Sequence, residues 1–388
     1  MLFLVALAGS QLNVKASPAT IKVPQDYTTI QEAIDQANPG DTIQVSSGKY
    51  QEKLFINKTL TLIGEDKNNT IIERTGCTVI LANFTAVNIS GFTIRNGTNG
   101  IQLEKCSGSV ITGNNVSATD RGIWLHYSHN NTISDNTVFG GNVSWRGIVL
   151  CGQSSNNTLI RNTIKDNEQG LGITGENNVI IHNNFINNQH QTNMIESHYN
   201  VWNNTYEGNY WSNYNGTDAN QDGTGDTPYP IDKNNQDNHP LMGTFSQFKI
   251  QWQEENYTLA TICNSTITNF NFGTIHENSI NFNVTGPEGT TGYCRIIIPH
   301  PLLDRNYTIL IDGSPPIMEK ELPLSNSTHT YLYFTYIHTT HQVTIIPEFP
   351  TTTILTIATI LGLSLACLIR KVDYKDKQNK PEKALSPR

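Results

Sequence analysis

Five short segments repeat one pattern of apolar and polar positions: "ISGFTI" from Ile89, "ITGNNV" from Ile111, "ISDNTV" from Ile133, "LIRNTI" from Leu159 and "IIHNNF" from Ile180. Their starts lie 22, 22, 26 and 21 residues apart. A second register keeps step, with "GIQL" from Gly100, "GIWL" from Gly122, "GIVL" from Gly147 and "GLGI" from Gly170. A recurring period of this length marks stacked structural repeats. Within each repeat the alternation has period two, which sends one set of side chains inward and the other outward along a strand. Short strands separated by Asn and Gly leave too few residues for a helix and its returns. Stacking such coils buries Ile, Leu and Val in a continuous column, and asparagines can stack as side-chain ladders at the turns. The pattern predicts a parallel β-helix. A leucine-rich repeat competes for the same period, but its longer leucine framework is absent.

Upstream, "VPQDYTTIQEAIDQANPGDTIQV" carries the one good soluble-helix signal. Thr29-x-x-Glu32 fits a capping box, Ile30, Ala33, Ile34 and Ala37 make one apolar face, and Asn38-Pro39-Gly40 stops the helix. Such a helix covers the open apolar end of the first coil, a cap that solenoids need for solubility. Downstream, "SINFNV", "CRIIIP", "YTILID", "TYLYFTYI" and "HQVTII" are short strands divided by "TGPEGTTG" and "DGSPP" turns, which predicts a β-sandwich.

Both ends differ from this body. Thr351 to Ile369 is a run of 19 residues without a charge, followed by Arg370, Lys371, Lys375, Lys377, Lys380, Lys383 and Arg388. That length and the basic flank predict a membrane span with the tail inside; a buried core helix is the alternative. "MLFLVALA" at the start reads as the apolar part of a secretory signal, although no basic segment precedes it. The expected organisation is therefore all-β with one transmembrane helix: a signal-like segment 1–19, a right-handed parallel β-helix 20–243 with a helix cap and a loop cap, a sandwich 244–346, a proline motif and membrane helix 347–371, and a basic cytoplasmic tail 372–388.

Composition supports export. Only 15% of the chain is Asp, Glu, Lys or Arg, and the formal net charge of -8 argues against a nucleic-acid partner, which needs basic clusters. Sixteen N-x-[ST] sequons run from Asn57, Asn68, Asn83 and Asn88 to Asn306 and Asn326, pointing to a glycosylated surface. Asparagine-rich turns alone would generate about half of them. The six cysteines form no CxxC pair, which leaves zinc and thioredoxin-type sites without support. Cys263 and Cys294 can pair in an oxidising compartment.

Taken together, "VPQDYTTIQEAIDQANPGDTIQVSSGKYQEKLFINKTLTLIGE", the coils and "EGNYWSNYNGTDANQDGTGDTPYPIDKNNQDNHPLM" resemble the NosD-like right-handed β-helix family of exported proteins, over about residues 21 to 243. The resemblance implies a wider group of carbohydrate-binding and sugar-hydrolysing β-helices and a family label of copper binding. The order of sandwich, "PEFP" and apolar run resembles archaeal surface proteins with a PEF-type sorting signal, which implies removal of the helix after that motif; a retained anchor is the alternative.

Aligning coils on the "GI-L" strand stacks Asn99, Arg121, Arg146 and Gln169 in one column, Thr98, Asp120, Trp145 and Glu168 in the next, and Gln102, Trp124, Val149 and Gly172 in a third, with neighbours about 4.8 Å apart. Trp124 and Trp145 beside Arg121 and Arg146 suit a saccharide: indole packs on sugar CH faces while charged groups meet hydroxyls. The plainer reading is that Asp120 and Glu168 neutralise two stacked arginines. For catalysis the candidates are Asp120, Glu168, Arg121 and Arg146, with the two carboxylates about 10 Å apart, at the limit for hydrolysis. Copper is disfavoured, because His126, His129, His182, His190 and His198 are spread through turns and there are four methionines and no paired thiols. "DANQDGTGDTPYPID" places Asp218, Asn220, Asp222, Thr224 and Asp226 at calcium-loop positions around Gly223, with Tyr229 where a bidentate Glu belongs. Asx-turns from the same residues give the same sequence without metal. Trp202, Tyr206, Tyr210 and Trp211 precede this loop and are expected to seal the last coil. The expected function is a membrane-anchored, non-catalytic cell-envelope protein that binds cell-envelope or environmental polysaccharide; the alternative is a polysaccharide lyase or glycoside hydrolase.

Overall fold

The computed structural model describes residues 17–140, 145–195, 198–273, 278–303 and 307–347. The expected leader, residues 348–350 of "PEFP", the Thr351–Ile369 run and the basic tail lie outside these. No helix of the described residues is long and apolar enough to cross a membrane. Two compact units divide the chain: one holds the chain to Gln247 with residues 260–265 and 292–296, the other holds 248–259, 266–291 and the rest.

The first unit is a parallel β-helix. One eight-stranded sheet runs from Thr20–Val23 to Val179–Ile181, and a thirteen-stranded sheet carries the remaining coil strands. Register follows the repeat: Ile89 pairs with Ile111, Ile111 with Ile133, Ile133 with Leu159 and Leu159 with Ile180. All five are fully buried, as are Ile101, Ile123, Ile148 and Leu171 of the second register. Each buried aliphatic side chain is worth about 2 kcal/mol of transfer free energy, so coil stacking is the main source of stability. The repeat glycines have a steric cause. A Cβ on Gly122 would lie 2.4 Å from Val138 Cγ1 and 2.7 Å from the Gly147 carbonyl, and Gly100, Gly147 and Gly170 are equally crowded by the following coil.

Asparagine ladders close the turns. In one, the amide Nδ2 of Asn114, Asn136, Asn162 and Asn183 each donates to the next member's Oδ1, at 2.9–3.1 Å, as far as Asn209. Each Oδ1 also accepts the backbone N–H of the preceding asparagine, so both ends of these ladder amides are matched. A second ladder runs through Asn131, Asn157, Asn178 and Asn200.

The ends are capped as a solenoid demands. Helix Ile30–Gln36 buries Ile30, Ala33 and Ile34, and the Thr29 hydroxyl accepts the Glu32 N–H. The Glu52 carboxylate accepts two further helix-start N–H groups, those of Ile30 and Gln31. At the other end Phe185, Trp211 and Tyr229 stack in sequence, each pair 4.3 Å apart, and Trp202 is buried beside them. Tyr206 departs from expectation: it is 59% exposed and seals nothing. Both ladders end in this cap. Asn235 Oδ1 accepts the Asn200 N–H, and Asp237 accepts from Asn209 N and Trp211 Nε1.

Within the second unit, Thr266–Phe272, Ile280–Thr285, Thr340–Pro347 and Tyr307–Ile311 form an antiparallel sheet in that order. Phe282 faces Val343 and Ile309 faces Ile345, all buried. Met318–Glu321 pairs antiparallel with His329–Ile337.

Candidate binding face and capped end

Four coil strands, Thr93–Glu104, Asn115–His126, Arg146–Cys151 and Gln169–Ile173, present their outward residues in columns. Asn99, Arg121, Arg146 and Gln169 are in register, as are Gln102, Trp124, Val149 and Gly172. Arg121 sits 4.4 Å over the Trp124 ring and 2.5 Å from Asp120, and Arg146 reaches the other Asp120 oxygen at 3.5 Å. A guanidinium held on an indole face by its own carboxylate is a pre-formed platform.

A further column escaped the sequence reading: Glu104, His126 and Cys151. Glu104 Oε2 is 2.8 Å from His126 Nδ1, and Trp124 Nε1 donates to Cys151 Sγ at 2.8 Å. The His126 ring lies 5.4 Å from Trp124 and 4.4 Å from half-exposed Tyr127. His126 is thus a paired strand residue, correcting its expected place in a solvated turn. The signal was present one step beyond the "GI-L" core, but its three residue types differ from coil to coil.

Asp120 and Glu168 are two coils apart, each one position before the Arg121–Arg146–Gln169 column, and Asp120 is engaged by both arginines. Glu168 joins no ion pair among the described residues. Trp145 lies against Gly140 rather than against Trp124. The geometry brings Arg121, Arg146, Asp120 and Trp124 together and leaves Trp145 and Glu168 at the margin.

The Asp218 loop is closed by its own hydrogen bonds. Asp218 accepts from Asp222 N and Gly223 N, Asp222 from Thr224 N, and Asp226 from Ala219 N, at 2.7–2.9 Å. Asn220 Oδ1 accepts from Asp222 N as well. Burial pushes the Asp218 carboxyl up, Asp222 and Asp226 push it further, and the two N–H bonds oppose them. Arg295 of the same compact unit donates to the Asp222 carbonyl and approaches the Thr224 hydroxyl at 3.2 and 3.5 Å. Its other arm binds Glu207, which also pairs with His182 at 2.8 Å. Burial raises Glu207, but His182 and Arg295 outweigh it and hold the carboxyl below its ordinary value. Among the described residues no three His, Cys, Asp or Glu side chains converge to hold a metal ion. Tyr229, at the position where a calcium loop puts its bidentate Glu, belongs to the aromatic cap. Cys77, Cys106, Cys151 and Cys294 are free thiols, so no disulfide joins Cys294 to Cys263, whose Sγ donates to the Tyr293 carbonyl at 3.1 Å.

These observations define a solenoid scaffold with one aromatic and charged outward face. Residues 77–225 match the family model of the right handed beta helix region. A cell surface glycoprotein of Methanothermus fervidus is 31% identical over 184 residues, 45% of this chain and 30% of that protein. The probable ABC transporter binding protein NosD of Stutzerimonas stutzeri is 34% identical over 137 residues, 35% of this chain and 29% of that protein. The chain spans less than a third of either relative. Among solved structures, pectin methylesterase from carrot aligns at 15% identity and TM-score 0.33, covering 44% of this chain and 63% of that one. Over this region the chain is similar to NosD and to the surface glycoprotein, and the fold there is a right-handed β-helix.

Proposed function

We propose that this is an exported cell-envelope protein whose β-helix is a non-catalytic binding module for glycans. The observation that carries the reading is the Arg121–Trp124 platform with Asp120 engaged by two guanidiniums: a surface made for contact, whose carboxylate is already paired. The name of the Methanothermus relative, a cell surface glycoprotein, supports a surface location. So do the exposed sequon asparagines Asn57, Asn68, Asn88, Asn96, Asn130 and Asn156. On this reading the Thr351–Ile369 run anchors the chain to the membrane and the Asp218 loop, a cap first, takes calcium as a stiffener. Ion binding there requires Asp222 and Asp226 to turn inward from their present partners.

The rival enzyme reading, a polysaccharide lyase or glycoside hydrolase, draws on one feature. Glu104 orients the His126 imidazole through Nδ1, the arrangement of a general base. A glycan array probed with the protein, with calcium and with chelator, tests binding. Trp124→Ala and Arg121→Ala are expected to abolish it, and binding that survives both substitutions refutes the face.

A further inference from the structure

A second polar surface lies away from the coil face. At the capped end a cavity of about 440 Å³ opens between residues 199–203 and 232–238, within the size range of small-ligand sites. Its wall is rigid for a structural reason. Asn235 Oδ1 ends a ladder by accepting Asn200 N at 2.9 Å and also takes Trp202 Nε1 at 3.0 Å, while both side chains are buried. Around this fixed base the lining turns outward as amides. Asn203 Oδ1 accepts Asn238 N and Nδ2 at 3.0 and 3.2 Å, and Gln236 Nε2 donates to Asn238 Oδ1 at 2.6 Å. Tyr199 stands at the site 64% exposed, an aromatic ring that no packing demand explains.

The geometry points to a binding site for neutral oligosaccharide in this amide-lined cavity. A carboxamide offers a donor and an acceptor in one plane, which matches a pair of vicinal hydroxyls, and an exposed tyrosine ring suits the CH face of a hexose. An anionic ligand finds a single lysine, Lys233, against Asp232, and an apolar ligand finds amides along most of the wall. The site is separate from the coil face and stands whether or not that face binds glycans. Asn203 begins a sequon, so a glycan attached there would occupy the cavity.

The test is saturation-transfer NMR and calorimetry on the full-length protein from a non-glycosylating host, with maltohexaose, cellohexaose, mannohexaose and N-acetylchitohexaose as probes. At least one is expected to bind, with affinity falling about tenfold in Tyr199→Ala and in Gln236→Ala and unchanged in Trp124→Ala. Both cavity residues are exposed, and their variants should melt with the wild type. No binding by any probe overturns the site. Binding lost in Trp124→Ala but retained in Tyr199→Ala and Gln236→Ala also overturns it, by assigning the sugar to the coil face.

Discussion

Asn162→Ala offers the sharpest probe of how the coils hold together. The side chain is fully buried and makes four ladder contacts. Its Nδ2 donates to the Ile133 carbonyl at 2.8 Å and to Asn183 Oδ1 at 2.9 Å, and its Oδ1 accepts Asn136 N and Asn136 Nδ2 at 3.1 Å each. Alanine removes the amide and strands these partners in the interior. Asn136 Nδ2 keeps its bond to the Ile111 carbonyl, Asn183 Oδ1 keeps its bond from the Asn162 N–H, and the Ile133 carbonyl belongs to a strand paired with Thr158–Ile160, so the Asn136 N–H bears the full loss. At about 1–3 kcal/mol for an unsatisfied buried group the cost is roughly 2 kcal/mol. For a unit of this size that lowers Tm by about 4–8 °C. Thermal unfolding followed by circular dichroism reads the change, with Asn88→Ala as control. Asn88 is exposed and bonds Thr61 at 3.3 Å, so its loss should cost no more than about 0.5 kcal/mol. An Asn162→Ala protein melting within a degree of that control would refute the energetic role of the ladder.

Gly122→Ala should prevent normal stacking, since its Cβ meets the Gly147 carbonyl at 2.7 Å; soluble yield and Tm should both fall, and a wild-type melt would refute the crowding argument. Asp237 is fully buried and burial lifts its carboxyl above the ordinary value, against opposing bonds from Trp211, Asn209 and His239. A raised folded pKa gives stability that is present below the unfolded value of 3.8 and lost as pH rises through the folded value. Denaturant titrations between pH 3 and 7 should therefore show this loss in the wild type and not in Asp237→Asn; equal slopes would contradict it. Glu207 is depressed, so its contribution runs the opposite way. It is present above the unfolded value of 4.5 and lost on acidification, and Glu207→Gln should flatten the acid limb. Calcium at 100 times its dissociation constant should add about 2.7 kcal/mol if the Asp218 loop binds it. A Tm indifferent to calcium and chelator, in wild type and in Asp222→Asn alike, would leave that loop to hydrogen bonding alone.

The coils were legible because their residues recur. Ile89, Ile111, Ile133, Leu159 and Ile180 announce the core column, and the asparagine three positions after Ile111, Ile133, Leu159 and Ile180 announces a ladder. The helix cap was equally plain, from Thr29 and one apolar stripe. The terminations were not legible, because a cap is where the period stops. Asp237 follows Asn209 after 28 residues and Asn235 follows Asn200 after 35, intervals unlike any in the repeat. Arg295 reaches Glu207 across 88 residues, a contact no local pattern encodes. At the face, the spacing placed Arg121, Arg146 and Trp124 in their columns. The pairing of Asp120 with both arginines, the drift of Trp145 toward Gly140, and the Glu104–His126 bond depend on side-chain directions that a column alignment does not carry.

The central claim is that the Arg121–Trp124 face holds polysaccharide without cutting it. The most direct measurement takes a polysaccharide retained on a glycan array, incubates it in solution with the wild-type protein, and follows chain length by size-exclusion chromatography and new unsaturated ends by ultraviolet absorbance. The account predicts retention that is lost in Trp124→Ala, with chain length and absorbance unchanged. Shortened chains or new absorbance with the wild type, abolished in His126→Ala or Asp120→Asn, would contradict it.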